Sequence, residues 1–171
     1  MTGEELKARL TALRAGDKAA FEDIYEHLKT PVFTVILRIV RDRPAAEEIL
    51  QEVFFKLWQL PPGPEVGNPR AYIFRAAHNL ALDHLKKRPQ SVAIEDTDAC
   101  FQTEDIPLKM DVERALESLP PQECRIVSLH INGGLKFREI AGMTGLPLGT
   151  VLWKYQRAIK RLRIILSGGV L

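Results

Sequence analysis

The stretch GMTGLPLGTVLWKYQRAIKRLR, residues 142–163, sets a glycine-marked turn in front of a helix that carries five basic residues and no acidic one. Ala141, Gly145 and Val151 have the spacing of a helix-turn-helix. A small residue stands where two helices cross, a glycine takes the left-handed turn, and a branched apolar residue anchors the second helix. Pro147 suits the start of that helix. At roughly 100° per residue, Leu148, Val151, Tyr155, Ala158, Ile159, Leu162 and Leu166 gather on one side, and Thr150, Trp153, Arg157 and Lys160 on the other. Trp153 is therefore expected to point away from the apolar stripe. Two readings stay open. The basic residues form a solvated face whose ring covers a neighbouring helix, or the helix enters a major groove. In the second case Lys154, Lys160, Arg161 and Arg163 lie near phosphates and Trp153, Gln156 and Arg157 near base edges.

The rest of the chain is helical in period as well, with no convincing alternating strand, so an all-α fold is expected. Phe21, Ile24, Tyr25, Leu28, Val32, Val35, Ile36 and Ile39 keep one apolar face across Pro31, which should kink or split that helix. A second stripe, Ala46, Ile49, Leu50, Val53, Phe54, Leu57 and Trp58, follows Pro44. The turn-forming PPGPEVGNP, residues 61–69, separates it from a third helix at about Arg70 to Arg88. Residues 90–110 lack a sustained period and are acidic, which reads as a flexible linker between two helical units. Periodicity resumes at Asp111 with Val112, Ala115, Leu116 and Leu119. The expected domains are 1–89, the linker 90–110, and 111–171.

The chain has 171 residues and a net charge of only +2, but the charge is unevenly placed. Residues 90–108 hold five acids and no base, and removing those five negative charges leaves the remainder at +7. Cys100 and Cys124 supply neither a disulfide framework nor metal ligands at metal spacing. His78 and His84 diverge around their helix, His84 reads as a satisfied core histidine, and His27 and His130 lack acidic company at ligand spacing. No metal, cofactor or catalytic residue is expected. The N-terminus has a charged, helical pattern rather than that of an export signal, and the apolar run PVFTVILRIV is short and interrupted by Arg38, so a cytoplasmic protein without membrane insertion is expected.

Two further faces stand out. Glu48, Gln51, Glu52, Phe55 and Gln59 project opposite the second apolar stripe, and an aromatic ring among carboxylates suits a basic helical partner. Carboxylates at the positive end of the helix and one singly exposed ring would look the same. On the third helix Ile73, Ala76, Ala77, Leu80 and His84 face the core, while Tyr72, Arg75, Asn79, Asp83 and Lys86 share another side that ends in the KKR of Lys86, Lys87 and Arg88. An aromatic ring, a guanidinium and an amide in a row suit unstacked bases and backbone phosphates, and a solvated polar face fits equally well.

In this order, AAEEILQEVFFKLW, NPRAYIFRAAHNLALDHLKKR and LPPQECRIVSLHINGGLKFREIAGMTGLPLGTV…RAIKRLR resemble the bacterial RNA polymerase sigma factors of the short extracytoplasmic-function (ECF) group. The resemblance covers nearly the whole chain. It implies a region 2-like and a region 4-like helical domain, joined by the acidic linker, acting as a non-enzymatic promoter-specificity subunit of core RNA polymerase. By position, it implies that Glu48, Gln51, Glu52 and Phe55 bind core polymerase. Val66, Gly67, Asn68, Tyr72, Arg75, Asn79, Asp83, Lys86, Lys87 and Arg88 would hold the minus-ten element as duplex and non-template single strand. Thr150, Trp153, Lys154, Gln156, Arg157, Lys160 and Arg161 would read the minus-thirty-five element. An anti-sigma factor is an implied partner. The sequence departs from the family pattern at Leu152 and Trp153, where a basic residue and a serine are common, and at Tyr72, where tryptophan is frequent. The competing readings are a stand-alone helix-turn-helix regulator and, more remotely, a metal-dependent hydrolase, which would carry stoichiometric metal.

Overall fold

The computed structural model describes residues 1–87 and 107–167. These residues form eight helices and no strand. They are α1 (Gly3–Arg14), α2 (Lys18–Val40), α3 (Arg43–Gln59), α4 (Pro69–Lys87), α5 (Pro107–Glu117), α6 (Pro121–Ile131), α7 (Phe137–Thr144) and α8 (Leu148–Leu166). The linker expected at 90–110 lies outside the described residues up to 106, and α5 starts at Pro107, four residues before the expected Asp111.

Local signals set the helix ends. Thr2 and Glu5 form a reciprocal capping box at α1, with the Glu5 amide on Thr2 Oγ1 at 3.2 Å and the Thr2 amide on Glu5 Oε2 at 2.7 Å. Asp17 accepts from the Ala19 amide at 2.9 Å to cap α2, and Asp42 from the Ala45 amide at 3.1 Å to cap α3. Gly145 closes α7 at φ 71°, a left-handed conformation that a Cβ would strain, and its N–H returns to the Ala141 carbonyl. That turn delivers the chain into α8 as the spacing of Ala141, Gly145 and Val151 predicts.

Pro31 neither splits α2 nor ends it. The helix runs through it because Leu28, Val32, Val35 and Ile36 on both sides are fully buried. Packing on several sides outweighs one lost backbone bond, which alone costs about 3 kcal/mol. α2 packs against α1, α3 and α4, and also against α6. That last contact joins the two halves. Ile126, Leu129, Leu135, Ile140 and Val151 from the second half belong to the same apolar core as Leu28, Ile36 and Phe74 from the first. A smaller core of Leu116, Leu119, Cys124, Val127 and Ala158 sits between α5, α6 and α8. Burial pushes the Cys124 thiol above its ordinary pKa.

Polar bonds run across the same seam. Arg38 of α2, only 14% exposed, donates from Nη1 to Asn132 Oδ1 at 2.7 Å and Ser128 Oγ at 3.1 Å. Its Nη2 reaches Glu113 Oε1 at 3.1 Å. Arg70 Nε donates to the Gly133 carbonyl at 2.6 Å in the turn between α6 and α7. Asn68 Nδ2 donates to Glu139 at the start of α7.

Several positions differ from the periodic reading. Trp58, placed in the core stripe of α3, is partly exposed and lies edge-on to Phe21 at 5.0 Å. Val112 is exposed, and so is Leu166, which lines an open groove of about 860 Å³ between α5 and the end of α8. His84 is half-buried, and its buried Nε2 has no hydrogen-bond partner among the described residues, so it is not the satisfied core histidine expected. The buried histidine is His78 instead, close enough to Arg125 of α6 to feel its charge.

Burial holds the His78 imidazole below its ordinary value of about 6.5. The hydrogen bond with Asn79 opposes that shift, and the Arg125 charge adds to it. Below pH 6.5 the unfolded chain therefore binds this proton before the folded chain does, so stability falls as pH drops and this group has no effect at higher pH. The fall in melting temperature between about pH 7.5 and 5.5 is expected to be smaller in His78→Gln than in the parent. Arg38→Ala is expected to cost about 1–3 kcal/mol in chemical denaturation and to enlarge the radius of gyration measured by small-angle X-ray scattering.

Candidate polymerase and nucleic-acid interfaces

Three surfaces carry the candidate residues. On α3, Glu48, Gln51, Glu52 and Phe55 all face solvent, and the Phe55 ring is 58% exposed. Together with Phe21, Tyr25 and Phe54 they line an open groove of about 580 Å³. Its floor is a cluster of rings: Tyr25 meets Phe54 edge-on at 4.9 Å, and Phe21 meets it at 6.3 Å. Edge-to-face contacts at these separations hold the floor in one geometry. Glu52 is paired with Lys56 at 2.7 Å along the helix, an exposed pair that yields readily to a better partner. Periodicity assigned Phe21 and Tyr25 to the core stripe of α2, but both are half-buried and form part of the groove. Only tertiary structure places the edge of one helix beside the acidic face of another.

On α4, Tyr72 is 43% exposed, and Arg75, Asn79, Asp83, Lys86 and Lys87 are exposed along the same helix. Arg88 lies outside the described residues. Asp83 pairs with Lys86 at 3.5 Å. The preceding loop is not free. Asn68 caps α4 by accepting from the Ala71 amide at 3.2 Å while its amide group is held by Glu139. Val66 is half-buried with its N–H on the Gly63 carbonyl, and Gly67 is exposed. The N-terminal end of this face therefore lies against the second half of the chain. A Cβ added at Gly142 of α7 would come within 4.0 Å of Arg75 Nη2. Arg70 escaped the sequence reading, yet it is half-buried in this seam with its guanidinium 5.5 Å from the Phe74 ring.

On α8, Trp153 is 53% exposed on the side away from the core, as the helical spacing predicts. Gln156, Arg157 and Lys160 are exposed, and Thr150, Lys154 and Arg161 half-exposed. The basic row is not wholly free. Glu123 of α6, with a side chain only 3% exposed, sits 3.4 Å from Arg157 Nε through Oε1 and 3.2 Å from Arg161 Nη1 through Oε2. Two of the cations assigned to nucleic acid thus share a buried carboxylate. Nothing in the linear spacing marks Glu123, since it lies more than thirty residues upstream on another helix.

Among the described residues, no group of three or more His, Cys, Asp or Glu side chains converges as a metal site, and no helix is long and apolar enough to cross a membrane.

A helical bundle with an acidic aromatic groove, followed by a helix-turn-helix with a basic outer face, defines a DNA-binding protein built to meet a protein partner as well. Residues 24–90 match the family model described as Sigma-70 region 2, and residues 109–162 match that described as Sigma-70, region 4. The chain is 30% identical over 159 residues to the ECF RNA polymerase sigma factor RpoE of Cereibacter sphaeroides, covering 86% of each chain. It is 24% identical over 176 residues to the ECF sigma factor SigK of Mycobacterium ulcerans, covering 94% of this chain and 92% of that one. The chain belongs to the ECF RNA polymerase sigma factors, which direct promoter-specific initiation by RNA polymerase. Its fold is that of the sigma factor RpoE from Bartonella quintana, solved with the anti-sigma factor NepR, at a TM-score of 0.67 and 22% identity over 86% of this chain and 96% of that one. It is equally similar to CnrH, solved with the cytosolic domain of CnrY, at a TM-score of 0.67 and 17% identity over 97% of this chain and 99% of the other.

The neighbours Phe54 and Phe55 test the groove. Phe54 is buried and Phe55 is not, so Phe54→Ala is expected to cost about 3–5 kcal/mol in urea unfolding. Phe55→Ala should stay within about 0.5 kcal/mol of the parent.

Proposed function

We propose that residues 1–89 bind core RNA polymerase and the minus-ten element, that residues 111–171 bind the minus-thirty-five element, and that residues 90–110 connect them. The observation that carries this reading is the solvent-facing acidic and aromatic groove at Glu48, Gln51, Glu52 and Phe55. A regulator that only binds operators has no use for it, whereas a sigma factor must grip a polymerase before anything else. Carboxylates flanking an exposed ring suit a basic helical surface, with the ring filling the desolvated centre and the acids forming its rim.

The α4 face then supplies Tyr72 as a platform for an unstacked base, with Arg75, Asn79, Lys86 and Lys87 along the strand. Stacking of about 1–3 kcal/mol per base is enough to hold a strand once the duplex has opened. The α8 face supplies Thr150, Trp153, Lys154, Gln156, Arg157, Lys160 and Arg161 for the duplex. The chemistry is binding throughout, with no catalytic group, and the site of action is the cytoplasm.

In the closed arrangement, Asn68 is held by Glu139 and Arg75 lies beside α7, so a strand reaches that end of α4 only when α6 and α7 move off it. Two elements about 25 base pairs apart on B-form DNA, at 3.4 Å per step, also lie too far apart for a chain folded in this way. Opening of the seam is part of promoter binding in this reading. An anti-sigma factor, such as the one solved with the Bartonella quintana relative, is the expected regulator, and holding the seam shut would be its means.

Transcription by purified core polymerase, with and without this chain, on a library of upstream regions is the direct test. A set of defined start sites that depends on the chain is expected, and the same transcripts with and without it would defeat the reading. Gln51→Ala with Glu52→Ala is expected to weaken core binding about tenfold or more in a pull-down titration, while duplex binding by the α8 face is unchanged.

A further inference from the structure

Trp153 and Glu123 meet at one side chain. Arg157 follows Trp153 by four residues on α8, and its guanidinium carbon lies 4.9 Å from the centre of the indole ring. Its Nε is 3.4 Å from the buried Glu123 carboxylate. The guanidinium thus lies over the indole ring with its Nε edge beside a buried charge. Its two Nη groups have no hydrogen-bond or ion-pair partner among the described residues, and the side chain is 44% exposed. Arg161 is placed differently. It donates an Nη1 hydrogen bond to the other oxygen of Glu123 at 3.2 Å, is less exposed at 32%, and has no ring beside it. One cation is enough to balance one buried carboxylate, so Arg161 is the counter-ion and Arg157 the surplus charge.

We infer that Glu123 and Trp153 are positioning residues that fix the guanidinium of Arg157 as an outward fork, so that Arg157 reads a base edge carrying two acceptors in the minus-thirty-five element. The inference rests on the assignment of α8 to that element. A planar guanidinium pairs with two acceptors only in one orientation, and a free arginine loses rotamer freedom on reaching it. Here part of that freedom is already given up to the ring beneath the guanidinium and the carboxylate beside its Nε. Trp153 then acts on DNA through Arg157. This accounts for a large ring standing on a surface that otherwise consists of donors, and it needs no second protein to cover the ring.

The test uses the full chain bound to core polymerase and a template library randomised across the minus-thirty-five element, with transcript yield read against base identity. Arg157→Ala is expected to flatten the base preference about tenfold or more at one or two positions. Trp153→Ala and Glu123→Gln are expected to flatten the same positions, each by about three- to tenfold, with Trp153→Phe close to the parent. Trp153→Ala combined with Arg157→Ala should match Arg157→Ala alone, because the ring has nothing left to position.

Flattening at different positions, or additive losses in the double variant, would overturn the inference. So would a uniform loss on all templates with a shallower salt dependence, which marks a phosphate contact. If Glu123→Gln proves unstable in thermal melts, the surface variants at Trp153 decide alone. Failure of the parent holoenzyme to start transcription anywhere would instead remove the assignment of α8. Defined start sites with an unchanged preference in Trp153→Ala would remove only the positioning role.

Discussion

The packing of α2 is the constraint on which the other helices depend. This helix touches α1, α3 and α4 on its way along the first half and then meets α6 of the second. A buried stripe runs along it from Ala20 through Ile24, Leu28, Val32 and Ile36 to Val40, so its direction fixes where α3 presents its acidic face and where α4 presents its rings and amides. The same helix carries Arg38, whose guanidinium is surrounded by acceptors from α5, α6 and the residue that follows α6. A buried arginine is costly unless its donors are matched. Here the matching groups come from the other half of the chain, so α2 keeps Arg38 satisfied only while the two halves stay together.

This arrangement gives the three surfaces unequal standing. The α3 groove and the outer face of α8 are open in the closed form, whereas the start of α4 is shared with the turn between α6 and α7. Asn68, Arg70 and Arg75 lie along that shared strip. Their partners across it are a carboxylate, a backbone carbonyl and a glycine-sided helix. The first two are acceptors of the kind a nucleic acid also offers, so under the proposed assignment of α4 closure and strand capture would compete for the same donors.

Much of this was legible in the linear chain, and the reasons are physical. Heptad-like spacing marks the buried stripe of a helix because a helix has only one face to bury, and Trp153 and Phe55 fell opposite such stripes and are exposed. The helix-turn-helix was legible because the turn at Gly145 needs a residue that tolerates positive φ. Other features depended on which helix lies next to which. Phe21 and Tyr25 look like core residues until α3 is laid beside them, and Trp58 and Leu166 look buried until the ends of their helices prove to be covered on one side only. Pro31 left a kink and a split both open, because local propensity is weighed without the packing that carries α2 through it. Glu123, Arg38 and Arg70 gave no signal, since a charged residue on an amphipathic helix is ordinarily solvated. Only the distant partner shows that it is not.

Cys124 lies in the small core between α5, α6 and α8, with its sulfur shielded from solvent and close enough to Arg38 and Arg41 to feel their charge. A thiol that stays protonated and out of reach is a poor nucleophile, so alkylating reagents and peroxide meet almost no reactivity there while the molecule is shut. Because that core is built from α5, α6 and α8, the sulfur is uncovered when those helices loosen from one another. The chain thus holds a native chemical clock that needs no added label, and the rate at which this sulfur is capped records how often the small core of the second half opens.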